Sequence, residues 1–471
     1  MQKILLFIAS LFYFNSLFAK NEIKSWQGIH ETPLSRLEQQ FAEPPVEFAN
    51  HVIWGWEGKM DKKTICNDLD SIKKKGFRAV IFEAGYKLPF KYLSEEWFKA
   101  IRTGVLEAKK RGMKVWIIDE GKYPSGFAGG KFSQERPDLR MQALVIGDTI
   151  QIKRGEVMTN HKIAPEIISA VAVSTSGAPN RTVAINNGEI SFNAGLDDWK
   201  ILLVKSDFRT AVTRAVNNPN GGKDATNSLC DYLNPVAVQQ FIDWTHEQYK
   251  KYLGKELGTT VLGFRGDEPD YAHLPWTPSI VQTFKDTKGY DPTPYLASFF
   301  TTSPTIQEQR VKADYWDVWS SLFATHFFKL QADWCAANGV AHITHLNKEH
   351  EMPACVKAEG DYFRNLSKVQ IPGVDAIWNQ IWPGTLNDFP KLASSVAHVY
   401  GKPRAFSESF AAYHISPTIP QAKFVVDHQI ARGINFFEFM FWPAGSKHRN
   451  WMSDPGMKGL NEYTNRTTYL M

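Results

Sequence analysis

Two short acidic segments carry the chemistry of this chain. In Val261-Leu-Gly-Phe-Arg-Gly-Asp-Glu-Pro-Asp270 an apolar run leads straight into Asp267 and Glu268, and Pro269 then stops further ladder pairing. A strand that ends by delivering a carboxyl group to a loop is how many barrel enzymes place an acid catalyst. Ala405-Phe-Ser-Glu-Ser-Phe410 offers a second carboxylate at Glu408. Hydrolysis of a glycosidic bond needs such a pair: a protonated carboxyl to assist the leaving oxygen, and a carboxylate to attack or to activate water. Asp267 then either supports Glu268 as a neighbour or trades roles with it. The plain structural alternative is that Asp-Glu-Pro marks a turn or a helix start.

The elements that would position these acids repeat a strand–loop–helix–Gly cycle. His51–Trp56, Phe77–Phe82 and Met113–Ile118 read as three strands, with helices of residues 61–75 and 94–111 between them, closed by Gly76 and Gly112. The cycle resumes with a helix of residues 235–256 and a strand of 259–264. A long helix of 310–338 leads into a strand of 340–345, and further strands follow at 374–379, 403–406 and 434–441, with helices of 386–400 and 420–432. Eight apolar strands alternating with helices predict a parallel sheet closed into a (β/α)8 TIM barrel, an α/β fold. Residues 141–217 break the cycle with short β-type runs and predict a small all-β insertion after the third strand. The expected organisation is a signal peptide over 1–19, barrel over 20–140, insertion over 141–217 and the rest of the barrel over 218–471.

Strand ends in a barrel face the chemistry. Read in order they supply Trp54, Trp56 and Glu57; Glu83 and Tyr86; Asp119, Glu120 and Tyr123; Arg265, Asp267 and Glu268; His345, Asn347 and Glu349; Asn379 and Trp382; Glu408; and Glu438 and Trp442. Such a ring suits a neutral polyhydroxylated ligand, with Trp54, Trp56, Glu83, Asp119, Glu120, Tyr123, Arg265, His345, Asn347, Asn379, Trp382 and Trp442 as expected sugar contacts. Glu268 and Glu408, on strands four and seven, would face each other across the mouth, and crowding by acids would keep a proton on Glu268. His342, His345 and His350 near Glu349 and Glu351 could be read as a metal cluster. His342 and His345 are three apart, however, and an extended strand points them to opposite faces. No metal ligands are assigned, and the residues themselves call for no cofactor. The Trp-rich run Tyr315–Trp319 has helical spacing and reads as outer-layer packing.

Composition sets the outer limits. Lys3, an apolar centre and Leu17-Phe-Ala19 read as a secretory signal, which places the mature chain in the periplasm or outside the cell, with no membrane attachment once the signal is removed. Four cysteines without a CxxC pair exclude a disulfide-dense scaffold and a thiolate zinc cluster, leaving room for one or two disulfides. A formal charge of +5 over 471 residues implies no nucleic-acid stripe. With 15 Trp, 16 Tyr and 31 Phe, the chain is instead rich in rings that sugars stack on. The expected partner is a carbohydrate; oligomeric state is not legible here.

Several motifs together are family-specific. Tyr123-Pro-Ser-Gly-Phe-Ala-Gly-Gly130, Gly266-Asp-Glu-Pro269, Cys230-Asp-Tyr-Leu-Asn-Pro235 and Trp54-Gly-Trp56 resemble the α-L-rhamnosidases of glycoside hydrolase family 106 and their bacterial relatives, over most of residues 50–445. The resemblance implies an exported polysaccharide-degrading enzyme that inverts the anomeric centre, with Glu268 as general acid and Glu408 or Glu349 activating water. It also implies calcium near the substrate, although no calcium motif is matched. Those rhamnosidases carry large β-rich domains after the barrel, whereas this sequence ends at Met471, so the expectation stays at glycosidase. Two other classes remain alternatives: a non-catalytic glycan-binding barrel, and a metal-dependent hydrolase built on His342 and His345.

Overall fold

A computed structural model describes residues 33–471, apart from 122, 210–212, 215–222, 225–227, 270, 272–273, 386 and 446–450. The expected signal peptide lies outside the described residues. Eight parallel strands close a barrel: His51–Trp56, Ala79–Ala84, Lys114–Ile118, Val261–Gly266, Ala341–Thr344, Ile371–Ala376, Phe406–Ser409 and Phe436–Pro443, each paired with its neighbours and the eighth with the first. This is the (β/α)8 architecture that the alternating pattern predicts. Strand six begins and ends three residues earlier than its apolar pattern indicates, and strand seven runs three residues further, through the polar stretch Ser407–Ser409.

The helices form for local reasons. Lys62–Lys74 starts at Asp61, whose carboxylate accepts the Thr64 N–H at 2.8 Å, and it buries Ile65, Leu69 and Ile72 on one face. Glu95–Lys110 is capped by Ser94 and ends on Lys109 and Lys110, which suit the negative end of its dipole. The helix expected over 235–256 breaks at Thr245 into Pro235–Trp244 and His246–Leu253. Within the described residues the chain closes with a helix, Met457–Tyr469. Its Asn461 and Asn465 bond to Asn50 just before strand one, the latter at 2.8 Å.

Between strand three and the helix at Pro235 lies a β unit. Gln142–Ile152, Trp199–Phe208, Ile167–Ser174 and Arg181–Val183 form one antiparallel sheet, and Val157–Lys162, Glu189–Asn193 and Ile185–Asn186 a second. The first sheet gains an edge strand, Pro275–Trp276, from the loop after strand four, so the insertion is tied to the barrel's upper surface. Ile152, Ala170, Trp199, Ile201 and Leu203 give it a small core of its own.

Period-2 alternation sorts the strand residues into two layers. Ile53, Ile81, Trp116, Leu262, Ile343, Ile371, Phe406 and Phe436 fill the barrel interior. Trp54, Trp56 and Trp442 belong to the layer between barrel and helices and are fully buried there. Trp54 donates its Nε1–H to Asp68 at 3.2 Å, and Trp56 packs on Phe82 and Trp97. Gly104 opposite is required by this contact, since a Cβ there would lie 2.9–3.0 Å from Phe82 and Trp56. The expectation that these three tryptophans stack on sugar is therefore corrected: they are core. Trp56→Ala should cost about 3–5 kcal/mol of stability, read as a lower denaturant midpoint, because it empties a fully packed site.

Candidate active site

The C-terminal ends of the strands open into a cavity of about 560 Å³. Glu83, Tyr123, Asp267, Glu268, Asn347 and Glu408 line it, all residues at expected positions. Asn347 donates to the Tyr123 hydroxyl at 3.1 Å, joining the loops after strands three and five. The rest of the wall was not anticipated: Asp375, Trp378, Tyr413, Phe441 and Trp451 among others. Trp378 is half exposed, and Phe410 stacks edge-on against Trp451 at 4.8 Å, so aromatic surface faces the ligand space from loops rather than from strand one. Asn379 and Trp382 stand outside the lining; Trp382 instead packs on Tyr413 at 5.8 Å.

Register explains how the acids meet. Asp375, Glu408 and Glu438 are lateral partners on strands six, seven and eight, so their side chains leave the barrel wall at one level and on one face. Arg265 enters this level from strand four with no exposed surface. Its guanidinium pairs with Asp267 at 2.6 Å, with Glu438 at 3.2 Å and with Glu408. Arg265 is thus a buried counter-ion beneath the cavity, not the sugar contact expected of it. His345 has the same place: buried, its Nε2 is 3.3 Å from Glu408 and 2.8 Å from Arg265 Nη2.

These neighbours divide the acids into charged and proton-bearing groups. Burial alone would raise Glu408, but Arg265 and His345 outweigh it and hold the carboxyl at about 2. Burial pushes Glu268 up to about 7; Asp267 and Glu408 add to this, while His345 opposes it. Its carboxyl is paired with Asp375, which burial and the charges of Glu408 and Glu268 raise far above the usual range. Burial and Arg265 both act to lower His345, yet Glu408 and Glu349 prevail and lift it to about 9. Burial raises Glu349 to about 8; it accepts the Leu346 N–H at 2.9 Å and does not line the cavity.

Asp119 and Glu120 serve the loop after strand three. Asp119, with no exposed surface, accepts from Ser125 Oγ at 2.7 Å, and that oxygen accepts the Asp267 N–H at 2.6 Å. Glu120 accepts the N–H groups of Gly121, Ala128 and Gly129, turning its carboxylate away from the cavity and into Gly-Phe-Ala-Gly-Gly. Both were expected to touch substrate; both instead hold the loop that carries Tyr123 and the backbone of Asp267. Backbone strain gathers at the same level. Glu268 (φ 37°), Trp378 (54°), Phe410 (77°) and Ala412 (53°) all sit in the left-handed region, uncommon for residues with side chains and concentrated at functional sites.

His342 points the other way along strand five, into the helix layer, where it groups with His246 and Cys335. A metal centre built on His342 and His345 together is thereby removed. Calcium takes six to eight oxygens. Among the described residues, the sets of ligand atoms that converge within 4.8 Å at the cavity are Asp267–His345–Glu408 and Glu268–His345–Asp375. Each includes an imidazole, and Arg265 already occupies Asp267 and Glu408, so as arranged these residues do not fit a calcium ion. All four cysteines are unpaired thiols.

The sequence pattern of glycoside hydrolase family 106, alpha-L-rhamnosidase, matches residues 155–466. The chain belongs to this family. A solved structure, the rhamnosidase of Novosphingobium sp. PP1Y, superposes with a TM-score of 0.69 at 15% identity, over 92% of this chain and 60% of that one, which establishes the fold. A Formosa agariphila protein named "Putative beta-glucuronidase" is 24% identical over 97% of this chain and 41% of its own length. The family 106 barrel described here therefore spans less than two-thirds of both relatives.

Proposed function

We propose that this family 106 chain is an exported glycoside hydrolase that removes a neutral sugar, of the α-L-rhamnoside type, from a plant or host polysaccharide or oligosaccharide with inversion. One observation carries the reading: two carboxyls line one cavity in different surroundings, Glu408 against Arg265 and His345, which favour its charge, and Glu268 buried beside other acids, which favour its proton. Glu268 donates its proton to the leaving glycosidic oxygen, and Glu408 takes one from the attacking water. Burial, with the charges of Asp267 and Glu408 beside it, keeps Glu268 protonated until the bond breaks; Arg265 and His345 keep Glu408 ionised. The secretory reading of residues 1–19 supports action in the periplasm or outside the cell.

The lining favours a neutral sugar over a uronic acid. Five acids face the space (Glu83, Asp267, Glu268, Asp375, Glu408), and no Lys or Arg does among the described residues. A glucuronate carboxylate would meet the charge of Glu408 and no cation among the described lining residues, whereas Met440, Phe441 and Trp451 offer an apolar wall for a deoxy carbon. On a panel of nitrophenyl glycosides, release from α-L-rhamnoside should exceed release from β-D-glucuronide; the reverse order would overturn the substrate assignment.

The pH profile has a defined sign. Activity needs Glu268 protonated and Glu408 ionised. Glu408 at about 2 leaves the acid side flat across the range in which the protein can be assayed. The fall therefore comes on the alkaline side, beginning near the value of about 7 at which the Glu268–Asp375 pair gives up its proton. A kcat/KM that rises through neutrality toward pH 9 would contradict this assignment.

A further inference from the structure

Outside the cavity, between strand five and the helices that cover it, three metal-ligating side chains converge in a site that the glycosidase reading does not use. His246 opens the helix His246–Leu253, Cys335 lies in the helix Lys329–Ala337, and His342 projects outward from strand five. All three are essentially without exposed surface. One ligand atom from each lies within 4.8 Å of the other two.

The hydrogen bonding leaves buried imidazole nitrogens of this group with nothing to bond. Thr245 Oγ1 donates to the Phe241 carbonyl at 2.7 Å, so toward the His246 ring it can only accept; His246 Nδ1, at 2.9 Å, must carry the hydrogen. That fixes the tautomer and leaves His246 Nε2 as a bare lone pair, buried and unpartnered. Both ring nitrogens of His342 are likewise buried and unpartnered. An orphaned imidazole nitrogen costs free energy in an apolar surround, and this one is apolar: Phe264 lies 4.2 Å and Trp334 5.2 Å from the His246 ring. An imidazole whose far nitrogen donates to an oxygen is also the arrangement that orients a metal-bound histidine.

We propose that His246, Cys335 and His342 form a structural site for one soft d10 metal ion, Zn²⁺ or Cu⁺, which ties the Thr245 helix break and the helix carrying Cys335 to barrel strand five. Two imidazoles and a thiolate are a donor set for either ion, and oxygen-seeking cations are excluded by it. Ligands about 2.0–2.3 Å from a metal stand ~3.5 Å apart, so three atoms already within 4.8 Å of one another need draw in by no more than ~1 Å. On binding, the Cys335 Sγ–H bond is replaced by a bond from sulfur to metal and the proton leaves to solvent; no electron is transferred. Burial keeps both imidazoles neutral, as ligands must be, with His342 brought down to about 3. It also raises the Cys335 thiol, so the ion must displace a firmly held proton.

The test uses the whole chain, unfolded in chelator and refolded with Zn²⁺, with Cu⁺ under reducing conditions, or with neither, then dialysed and assayed for metal by mass spectrometry. About one equivalent retained in the zinc or the copper arm is expected, and the arm identifies the ion; under ~0.1 equivalent in both arms overturns the proposal. The Cys335→Ser/His342→Gln variant should retain at least about tenfold less than wild type, and equal retention also overturns it. Should that variant not fold, wild type refolded with Co²⁺ decides. A near-ultraviolet thiolate-to-cobalt charge-transfer band supports the site, and a spectrum without it rules the site out.

Discussion

Glu268→Gln is expected to lower kcat on an oligosaccharide by about 10²–10⁴-fold, the range supplied by a positioned general acid. The amide fills the same space and accepts from Asp375 as the carboxylate does, so the denaturation midpoint should stay near that of wild type. KM should change little, because a proton delivered to the leaving oxygen matters in the transition state rather than in the bound sugar. The alkaline fall in the pH profile should vanish with the group that causes it. Near-wild-type turnover in the variant would end the assignment of Glu268 as acid.

Arg265→Met is expected to cost about 3–5 kcal/mol of stability, because it strands Glu408, Asp267 and Glu438 around a fully buried position without their cation. The same change removes the main force holding Glu408 at about 2, so its carboxyl rises toward neutrality. A new acid limb should then appear in the rate profile, where activity falls as pH drops through the raised value. Arg265→Lys should restore little, since a compact ammonium lacks the planar fork with which the guanidinium reaches three carboxylates at once. Chemical denaturation across pH checks both effects, and an unchanged midpoint would show that the buried guanidinium is dispensable.

The barrel was legible because eight apolar runs alternating with helices closed by glycine admit few other folds. Glu268, Glu408, Glu83, Tyr123 and Asn347 were legible as strand-end groups, and the structure brings them to one cavity. Trp54 and Trp56 were misplaced for a definite reason. A parallel strand buried on both faces is apolar at every position, so alternation separates its faces without saying which one looks inward. Here Ile53 does.

Asp375 was missed because Ile371-Pro-Gly-Val374 reads as a breaker before a strand, when it is the strand itself. Strand seven was ended at Phe406 for the opposite reason: Ser407, Glu408 and Ser409 interrupt the apolar signal inside a regular strand. Asp119 and Glu120 look identical in sequence to catalytic acids. Only the N–H groups they accept show that one holds Ser125 and the other the glycine-rich loop.

The central claim, that Glu268 protonates the leaving oxygen, is tested most directly by varying how much that oxygen needs a proton. Wild type and Glu268→Gln would be compared on one glycone carrying either an alkyl-type leaving group or 2,4-dinitrophenolate, which departs unaided. A loss of about 10²–10⁴-fold is expected on the first substrate and nearly none on the second. Equal loss on both would show that Glu268 serves some other step, and the acid would have to be sought elsewhere in the cavity.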